Sequence, residues 1–293
     1  PTSAAVWTPD GTPPAPHALF RNPDLAATYD RLATLGEKSS DDRRSQIDAA
    51  RAEWREGFVA EAIFDYLKEA NVMDVSDSRH RAVLARSDMA DWSATFETPL
   101  SYEYHGWTVH KTHPWSQGPV LLQALAILKD IDIAAMDPNG SAFIHTVIEA
   151  MKLAYADRET YYGDPDFSEI PMARLLSDAY NDERRKLIAP TASMDQRPGR
   201  LPGYEEQADA YIRRAAQNFD VAPVSAQEPT MSHLTERRGD TVHLDIIDRW
   251  GNMVAATPSG GWLQSSPVIP GLGFPLNSRA QMFWLEDGLP TSL

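Results

Sequence analysis

The spacing of hydrophobic residues in the early part of the chain predicts helices. Asn22 followed by Pro23 is a helix start with an N-cap and a first-turn proline, and Gly36 offers a place for that helix to end. Apolar positions one turn apart lie between them, which predicts one amphipathic helix. A second, longer helix is predicted over residues 39–71, where apolar residues recur with a helical period among charged ones.

Helical periodicity returns in the middle of the chain. One helix is predicted after Gly118 and another after Ser141. The inward face of the second is predicted to carry apolar residues that recur every four positions, with two isoleucines beside them: Phe143, Val147, Met151, Tyr155, Ile144 and Ile148. Short helices are predicted over residues 171–178 and 180–189.

Two regions have the alternating pattern of strands. The segment 100–112 predicts two short strands, and the segment 241–257 predicts a hairpin that turns at Gly251 and its neighbour. Residues 190–240 are rich in proline and glycine, which predicts a linker with one helical patch inside it. Because helices come first and the sheet hairpin comes last, the predicted fold class is α+β.

Composition narrows the possible partners. The 293 residues carry 27 basic and 42 acidic side chains, and the net charge of −15 disfavours nucleic acid and anionic membrane surfaces. Hydrophobic residues make up 42% of the chain, but no run of about 18 apolar residues predicts a membrane span. Because the sequence has no cysteine, disulfides, thiolate metal ligands and a cysteine nucleophile are excluded.

The two ends of the sequence predict that it is part of a longer protein. It begins at Pro1 rather than at methionine, and residues 288–293 resemble an internal loop. The cellular compartment, cytoplasmic or secreted, is therefore left open.

Histidines and carboxylates suggest a metal site in two places, and the spacing is weak in both. Four candidate ligands lie close together but match no zinc-binding motif: Glu103, His105, His110 and His113. His145 and Glu149 are one helical turn apart, which also suits an ordinary side-chain contact. The glycine pairs near the end of the chain match no nucleotide-binding pattern. We therefore predict no metal and no cofactor, with a metal-dependent hydrolase as an alternative.

Four segments, in chain order, resemble the gamma-glutamyltranspeptidase family. Residues 239–283, which begin GDTVHLDIIDRWGN, resemble the start of that family's small subunit, and three earlier segments resemble its large subunit: 20–36, 113–128 and 148–167. The resemblance implies the N-terminal nucleophile (Ntn) hydrolase fold, an αββα sandwich of two sheets between helical layers. It also implies a large-subunit-like portion, residues 1–240, followed by the start of a small-subunit-like catalytic portion, residues 241–293.

The same resemblance implies a nucleophile and a cleavage site. Members of the family are precursors that cut themselves before a threonine, which matches Thr241 and puts the scissile bond between Asp240 and Thr241. The freed α-amine, with a pKa of about 7.7–8.0, lies beside the threonine hydroxyl and can act as its base. Ser259 matches a family threonine that hydrogen-bonds the nucleophile. On an extended strand Thr241, His243 and Asp245 would share one face.

The residues predicted to line the substrate pocket differ from the family pattern. Where the family binds the glutamyl group with an asparagine, a glutamine and an aspartate, this sequence has approximately Gly261, Arg279 and Met282. The carboxylate that would pair with a substrate ammonium is therefore missing, whereas Trp262 and Gln264 add an aromatic ring and an amide. Arg279 suits an anionic acyl group. The pattern favours acylase-like members over glutathione-cleaving ones.

The predicted activity is hydrolysis or acyl transfer on a small-molecule amide or γ-glutamyl-like substrate, through an acyl-enzyme. The partners expected are the large and small portions of one precursor, which pair after cleavage. The resemblance puts the oxyanion-hole residues beyond position 293. A non-catalytic relative that binds its ligand without turnover is the alternative.

Overall fold

A computed structural model of the chain describes residues 2–73, 77–218, 243–257, 266–277, 279–284 and 289–292. The helices in these ranges are α1 (Thr2–Trp7), α2 (Pro23–Ser39), α3 (Arg43–Arg55), α4 (Phe58–Glu69), α5 (Arg86–Asp91), α6 (Gly118–Leu128), α7 (Ser141–Tyr161), α8 (Met172–Leu175), α9 (Asp178–Arg185) and α10 (Glu205–Asn218). The strands there are β1 (Val72–Met73), β2 (Arg79–His80), β3 (Leu100–Tyr104), β4 (Trp107–Lys111), β5 (Leu244–Ile247) and β6 (Met253–Ala256).

Consecutive strands pair as antiparallel hairpins: β1 with β2, β3 with β4, and β5 with β6. Helices together with small antiparallel sheets are an α+β arrangement, as the order of predicted elements indicates. The chain divides into two compact units, one formed by Pro1–Ala94 with Gln227–Gln281, the other by Thr95–Ala226 with Met282–Leu293. Within the described ranges, no helix is both long enough and apolar enough to cross a bilayer.

Helix α2 begins where the sequence predicts, but it continues past Gly36. The Asn22 side chain accepts a hydrogen bond from the Leu25 backbone N–H at 3.0 Å, which caps the helix start. Gly36 is buried against α3, where a Cβ would lie 2.7 Å from the Gln46 carbonyl oxygen. This glycine therefore permits a close helix–helix approach rather than ending the helix, which runs to Ser39.

The long helix predicted over 39–71 is two helices, α3 and α4, separated at Gly57. Helix α4 supplies three of the six buried residues in the apolar core of the first unit. The buried residues of this core are Leu32, Phe58, Val59, Ile63, Ile269 and Leu272. Two of them come from the loop after residue 266, so this late segment completes a core built by helices near the start of the chain.

Helices α6, α7, α8 and α9 form the core of the second unit, as the sequence pattern predicts for four helices in this region. The β3–β4 hairpin turns at Gly106, whose φ of +84° suits glycine, and it packs on α6 through buried Tyr102. The hydroxyl of Tyr102 donates to Asp178 at 2.7 Å, and Lys129 donates to the same carboxylate at 2.7 Å. These bonds fasten the hairpin to α9 and to the end of α6.

The predicted inward face of α7 is right only in part, because Val147 and Tyr155 pack against the core of the second unit but three other members of that face do not. Ile144, Ile148 and Met151 are 46%, 49% and 40% exposed, whereas Glu149 and Asp157 are 1% and 0% exposed. A buried carboxylate is tolerated only when charges and hydrogen bonds compensate for its lost hydration. Both acids have such partners, which come from chain segments far along the sequence, so the helix turns its mixed polar face inward.

The β5–β6 hairpin confirms the predicted strands and turn. Leu244 pairs with Ala256, and the register runs to the pair of Ile247 and Met253 beside the turn. Gly251 has a φ of +84°, which glycine adopts without strain. The Asp248 carboxylate accepts hydrogen bonds from backbone N–H groups across the turn, including that of Asn252 at 2.9 Å.

Candidate active site

Most residues of the predicted site lie outside the described part of the chain. This holds for the predicted cleavage site, the nucleophile and its hydroxyl partner, and three pocket residues: Asp240, Thr241, Ser259, Gly261, Trp262 and Gln264. Their roles stay predictions. The structure describes the chain on both sides of them, and Arg279.

The open end of the β5–β6 hairpin carries a chain of three polar side chains. His243 Nδ1 lies 2.6 Å from Thr257 Oγ1, and His243 Nε2 lies 3.0 Å from Asp245 Oδ2. A carboxylate only accepts, so in neutral His243 the proton is on Nε2 and Nδ1 accepts from the Thr257 hydroxyl. The contact between His243 and Asp245 confirms that these alternate residues share one face of the strand.

The His243–Thr257 contact continues the register of the hairpin. The last described ladder pair at this end is Leu244 with Ala256. One step further along both strands are His243 and Thr257, whose side chains are hydrogen-bonded. Cross-strand pairs of this kind hold neighbouring strands at a defined position. The open end is therefore fixed one residue pair beyond the ladder.

The chain that follows the predicted pocket residues is anchored to the first helices. Leu272 is buried, and its carbonyl oxygen accepts a hydrogen bond from the Thr28 hydroxyl at 3.1 Å. Asn22 Nδ2 donates to the Gly273 carbonyl oxygen at 2.6 Å, so the residue that caps α2 also holds this loop. Gly273 has a φ of +75°, and a Cβ there would lie 2.4 Å from the Leu25 backbone nitrogen.

The start of the same loop is tied to α1. The Ser3 hydroxyl donates to the Ser266 carbonyl oxygen at 3.3 Å and accepts from the Val268 N–H at 3.1 Å. Further along, Phe274 stacks on Trp54 with ring centroids 5.3 Å apart. Residues 266–277 are thus held at several points within the first unit.

Arg279, which was predicted to bind the acyl group, lies within the described ranges and opens a short 3₁₀ turn, Arg279–Met282. Its backbone N–H donates to Asn277 Oδ1 at 3.0 Å, and its side chain is half-buried. In the sequence, Arg279 comes two residues after the anchored loop, residues 266–277. The predicted role of Arg279 in binding an acyl group is not tested by these contacts.

Sequence reasoning missed a polar stripe on α7, formed by His145, Glu149 and Asp157, that binds the beginning of the predicted linker. Glu149 accepts from Arg197 Nη2 at 2.6 Å, from the Ser193 N–H at 3.3 Å and from Lys152. Burial alone would raise the pKa of Glu149, but the hydrogen bonds from Lys152 and Arg197 outweigh it, so the pKa lies below its usual value. His145 Nε2 contacts the Ala189 carbonyl oxygen at 2.7 Å, so it bonds this segment rather than Glu149.

Asp157 continues the stripe deeper in the unit. It accepts from the Gly199 N–H at 2.6 Å, from the Tyr180 hydroxyl at 2.8 Å and from Arg184 Nη2 at 3.2 Å. Gln123 donates to it as well. The polar stripe of α7 is therefore the surface on which residues 189–199 are fastened, and α10 follows them within the predicted linker.

Three of the four clustered residues considered as metal ligands have other hydrogen-bond partners. His110 Nδ1 lies 2.8 Å from the Ser101 hydroxyl, and His113 Nε2 lies 2.7 Å from the Thr98 carbonyl oxygen. Glu103 accepts from Thr108. Across the residues that the structure describes, no three histidines or carboxylates are grouped so that they could hold a metal ion.

Comparison with known proteins defines the class to which this fold and site belong. The chain belongs to the gamma-glutamyltranspeptidase family, whose pattern matches residues 1–291. It is 27% identical over 274 residues to the glutathione hydrolase proenzyme of Pseudomonas aeruginosa, which covers 92% of this chain and 39% of that protein. It is also 27% identical over 295 residues to the acylase ACY 1 proenzyme of a Pseudomonas species, covering 100% of this chain and 43% of that protein.

A solved structure of LmbA2991HD superposes on the chain with a TM-score of 0.81 at 47% identity, covering all of this chain and 47% of that one. The cephalosporin acylase of Bacillus halodurans shares the fold, with a TM-score of 0.70 at 23% identity. The chain spans about two fifths of the length of the two curated relatives above. It therefore corresponds to one part of such proteins.

Proposed function

We propose that the full-length protein is an amide hydrolase or acyltransferase that uses Thr241 as its nucleophile after cutting its own Asp240–Thr241 bond. The two curated relatives named above are both proenzymes, one a glutathione hydrolase and the other an acylase. Membership of their family supports the same class of reaction here. The finer fold proposal, an αββα Ntn-hydrolase sandwich completed by the rest of the protein, follows from the same membership.

The observation that carries the proposal is the register of β5 and β6. The pair of Leu244 with Ala256 is followed by the hydrogen-bonded pair of His243 with Thr257. Two further steps of this register would set position 241 opposite position 259. The hydroxyls of a threonine and a serine there would be cross-strand neighbours, as a nucleophile and its hydrogen-bonding partner require.

The chemistry needs no other nucleophile. The Thr241 hydroxyl attacks the amide carbonyl carbon while the free α-amine takes its proton. The carbon–nitrogen bond then breaks, and the leaving amine takes up that proton, which leaves an ester on Thr241. Water attacks the ester to give a carboxylic acid, or an amine attacks it to give a new amide, and the hydroxyl is restored.

In the precursor the same hydroxyl can attack the carbonyl carbon of Asp240, and the amide bond breaks as the Thr241 nitrogen takes the proton and leaves as a free amine. Water then hydrolyses the resulting ester, which completes the cut of the Asp240–Thr241 bond. Each side of this bond leads to a fastened segment within its own unit. On the N-terminal side, residues 189–199 are hydrogen-bonded to α7. On the C-terminal side, the chain enters the β5–β6 hairpin, where His243 contacts Thr257. Two fastened segments support a protein whose large and small portions remain folded after the cut.

The acyl group that the site accepts is proposed to lack the free amino-acid head of glutathione. Gly261 replaces a polar residue of the family pattern, and no carboxylate occupies the position that would pair with a substrate ammonium. Arg279 would pair with an acid at the far end of the acyl chain, with Trp262 and Gln264 beside it. The substrate class is then an acylase-like amide of a small molecule.

Intact-mass measurement of the full-length protein tests the mechanism. The wild type is expected as two fragments, the second beginning at Thr241. Thr241→Ala should stay one chain without amidase activity, and Thr241→Ser should cut and turn over more slowly. Thr191→Ala, at an exposed threonine of the predicted linker, is the matched control and should behave as wild type. Amidase activity in Thr241→Ala would refute the mechanism. An uncut wild type that binds ligand without turnover would identify a non-catalytic relative.

Two matched anilides test the acyl preference. Glutaryl and γ-glutamyl p-nitroanilide differ only in the α-amino group, and we expect the higher kcat/KM for the glutaryl compound. Arg279→Gln should lower kcat/KM for the glutaryl anilide by roughly 10- to 100-fold, because it removes a hydrogen bond between charged groups. An uncharged butyryl anilide should be much less affected. A preference for the γ-glutamyl compound would overturn the acylase-like assignment while leaving the nucleophile untouched.

A further inference from the structure

We propose that His243, oriented by Asp245, is a positioning residue for the reaction and acts through Thr257 to hold positions 241 and 259 at a fixed separation. This inference rests on the proposed function. It concerns three side chains whose contacts are described, at 2.6 Å between His243 and Thr257 and at 3.0 Å between His243 and Asp245.

The hydrogen-bond chain has one direction. Neutral imidazole donates from one nitrogen and accepts at the other, and Asp245 can only accept. Asp245 therefore keeps the proton on Nε2, so Nδ1 is free to accept from the Thr257 hydroxyl. Asp245 orients His243, and His243 in turn binds the opposite strand. Asp245 thus acts through His243 rather than on the substrate.

Within the described residues, the open end of the hairpin is held by the side-chain contact between His243 and Thr257. β5 and β6 have four residues each, and the side chains in both strands are mostly exposed within the described structure. Two-stranded hairpins of this size are marginal on their own. The turn end has its own bonds from Asn252 to Asp248. The open end has the His243–Thr257 pair. In the sequence, His243 is two positions from the proposed nucleophile and Thr257 is two positions from its proposed partner.

We expect a small displacement at this end to shift the proposed nucleophile, which is two positions from His243 along the chain. Misplacement of a reacting group by about 1 Å can cost up to roughly 100-fold in rate. The turn lies at the other end of the ladder from His243 and Thr257, so we expect fraying there to have less effect on the reaction. Loss of the His243–Thr257 contact should therefore lower the rate of the chemical steps and leave substrate affinity nearly unchanged.

The first experiment uses the full-length protein with three variants. Thr257→Val keeps the β-branched shape and removes the hydroxyl, whereas Thr257→Ser keeps the hydroxyl. Asn252→Ala is the matched control, because it removes one side-chain hydrogen bond of 2.8 Å at the turn end of the same hairpin. Self-cleavage half-time, kcat and KM are measured with glutaryl p-nitroanilide, and the urea midpoint of each variant is measured in parallel.

The expected result is a split between rate and affinity. Thr257→Val should slow cleavage and lower kcat by about 10-fold, with KM changed by less than about twofold. Thr257→Ser should stay within about threefold of wild type. Asn252→Ala should lower the urea midpoint by a similar amount to Thr257→Val but keep kcat within about twofold. A role in stability alone would instead give the two variants equal losses.

A second pair of variants keeps the test decisive if Thr257→Val does not fold. The side-chain amide of His243→Asn lies near the place of Nδ1 and can still accept from Thr257, whereas that of His243→Gln extends toward the place of Nε2 and Asp245. We expect His243→Asn to retain several-fold more kcat than His243→Gln. Equal kcat in these two variants, or wild-type cleavage and kcat in Thr257→Val, would overturn the inference. Activity in Thr241→Ala would overturn the proposed function itself, so the two failures are distinguishable.

Discussion

Removal of the charge on Asp157 should strongly destabilise the second unit. Asp157 and Arg184 are an ion pair with side chains 0% and 5% exposed, joined at 3.2 Å. The same carboxylate accepts from the Gly199 N–H at 2.6 Å and from the Tyr180 hydroxyl at 2.8 Å. Asp157→Asn keeps the size of the side chain but puts an N–H₂ donor among these donors.

The magnitude follows from what remains buried after the substitution. The Arg184 guanidinium keeps its bonds to backbone carbonyl oxygens at 3.1 Å and 2.5 Å, but it loses its counter-charge. One partner removed from a buried ion pair typically costs about 3–5 kcal/mol. The backbone of Gly199 also loses a charged acceptor, so the segment 189–199 should detach from α7 at lower denaturant than in the wild type.

Urea unfolding and amide hydrogen exchange of the full-length protein provide the assay. Asp157→Asn should lower the free energy of unfolding by about 3–5 kcal/mol and speed exchange at Gly199. Glu183→Gln is the matched control, because Glu183 is 70% exposed in its pair with Lys186, and it should change the free energy by less than about 0.5 kcal/mol. A loss below about 1 kcal/mol for Asp157→Asn would refute the reasoning.

Three further predictions concern acid stability, a loop and a helix cap. The pKa of Glu149 is lowered in the folded state, so its contribution to stability is present above the unfolded pKa of about 4.3 and is lost as pH falls through the folded value. Between pH 6 and pH 3, the urea midpoint should therefore fall less steeply in Glu149→Gln than in the wild type. Equal slopes would contradict this. Gly273→Ala should lower the thermal midpoint more than Gly271→Ala, because both glycines have a φ near +75° but a Cβ at Gly271 meets nothing within 4 Å; equal losses would count against the close approach. Asn22→Ala should lower the free energy of unfolding by more than the roughly 1 kcal/mol of a helix cap alone, since it also removes the 2.6 Å hydrogen bond to the Gly273 carbonyl oxygen. A loss of only about 1 kcal/mol in urea unfolding would show that this hydrogen bond contributes nothing.

Local signals were sufficient to predict several elements. The cap at Asn22 and the turn at Gly251 depend on neighbours within a few residues, and both are observed. The α+β class follows from the order of such elements. The end of α2 was mispredicted, because the packing of Gly36 against α3 cannot be inferred from residues 20–40 alone.

The buried face of α7 needed information from distant residues. Arg184 is 27 positions from Asp157, and Arg197 is 48 positions from Glu149, so hydrophobic periodicity within the helix could not indicate that these acids are buried. The isoleucines of α7 belong to the periodic apolar pattern but are exposed, whereas Val147 and Tyr155 of the same pattern pack against the core. Tertiary partners decided the orientation here.

The candidate site was reached by a mixture of the two kinds of signal. Thr241 and Ser259 were singled out by family resemblance, because an isolated threonine at the start of a strand has no distinctive pattern. The contact of Thr257 with His243 was missed, although both residues lie within the predicted hairpin 241–257 and pairing about its turn would have set them opposite each other. Counting residue pairs outward from the predicted turn was the available signal.

The claim that Thr241 carries the acyl group is tested most directly by trapping that intermediate. Full-length protein is mixed with glutaryl p-nitroanilide, quenched in acid within the first turnover, digested and mapped by mass spectrometry. The account predicts a glutaryl adduct on a peptide whose first residue is Thr241. An adduct on another residue, or turnover by protein in which Thr241 is still joined to Asp240, would contradict it.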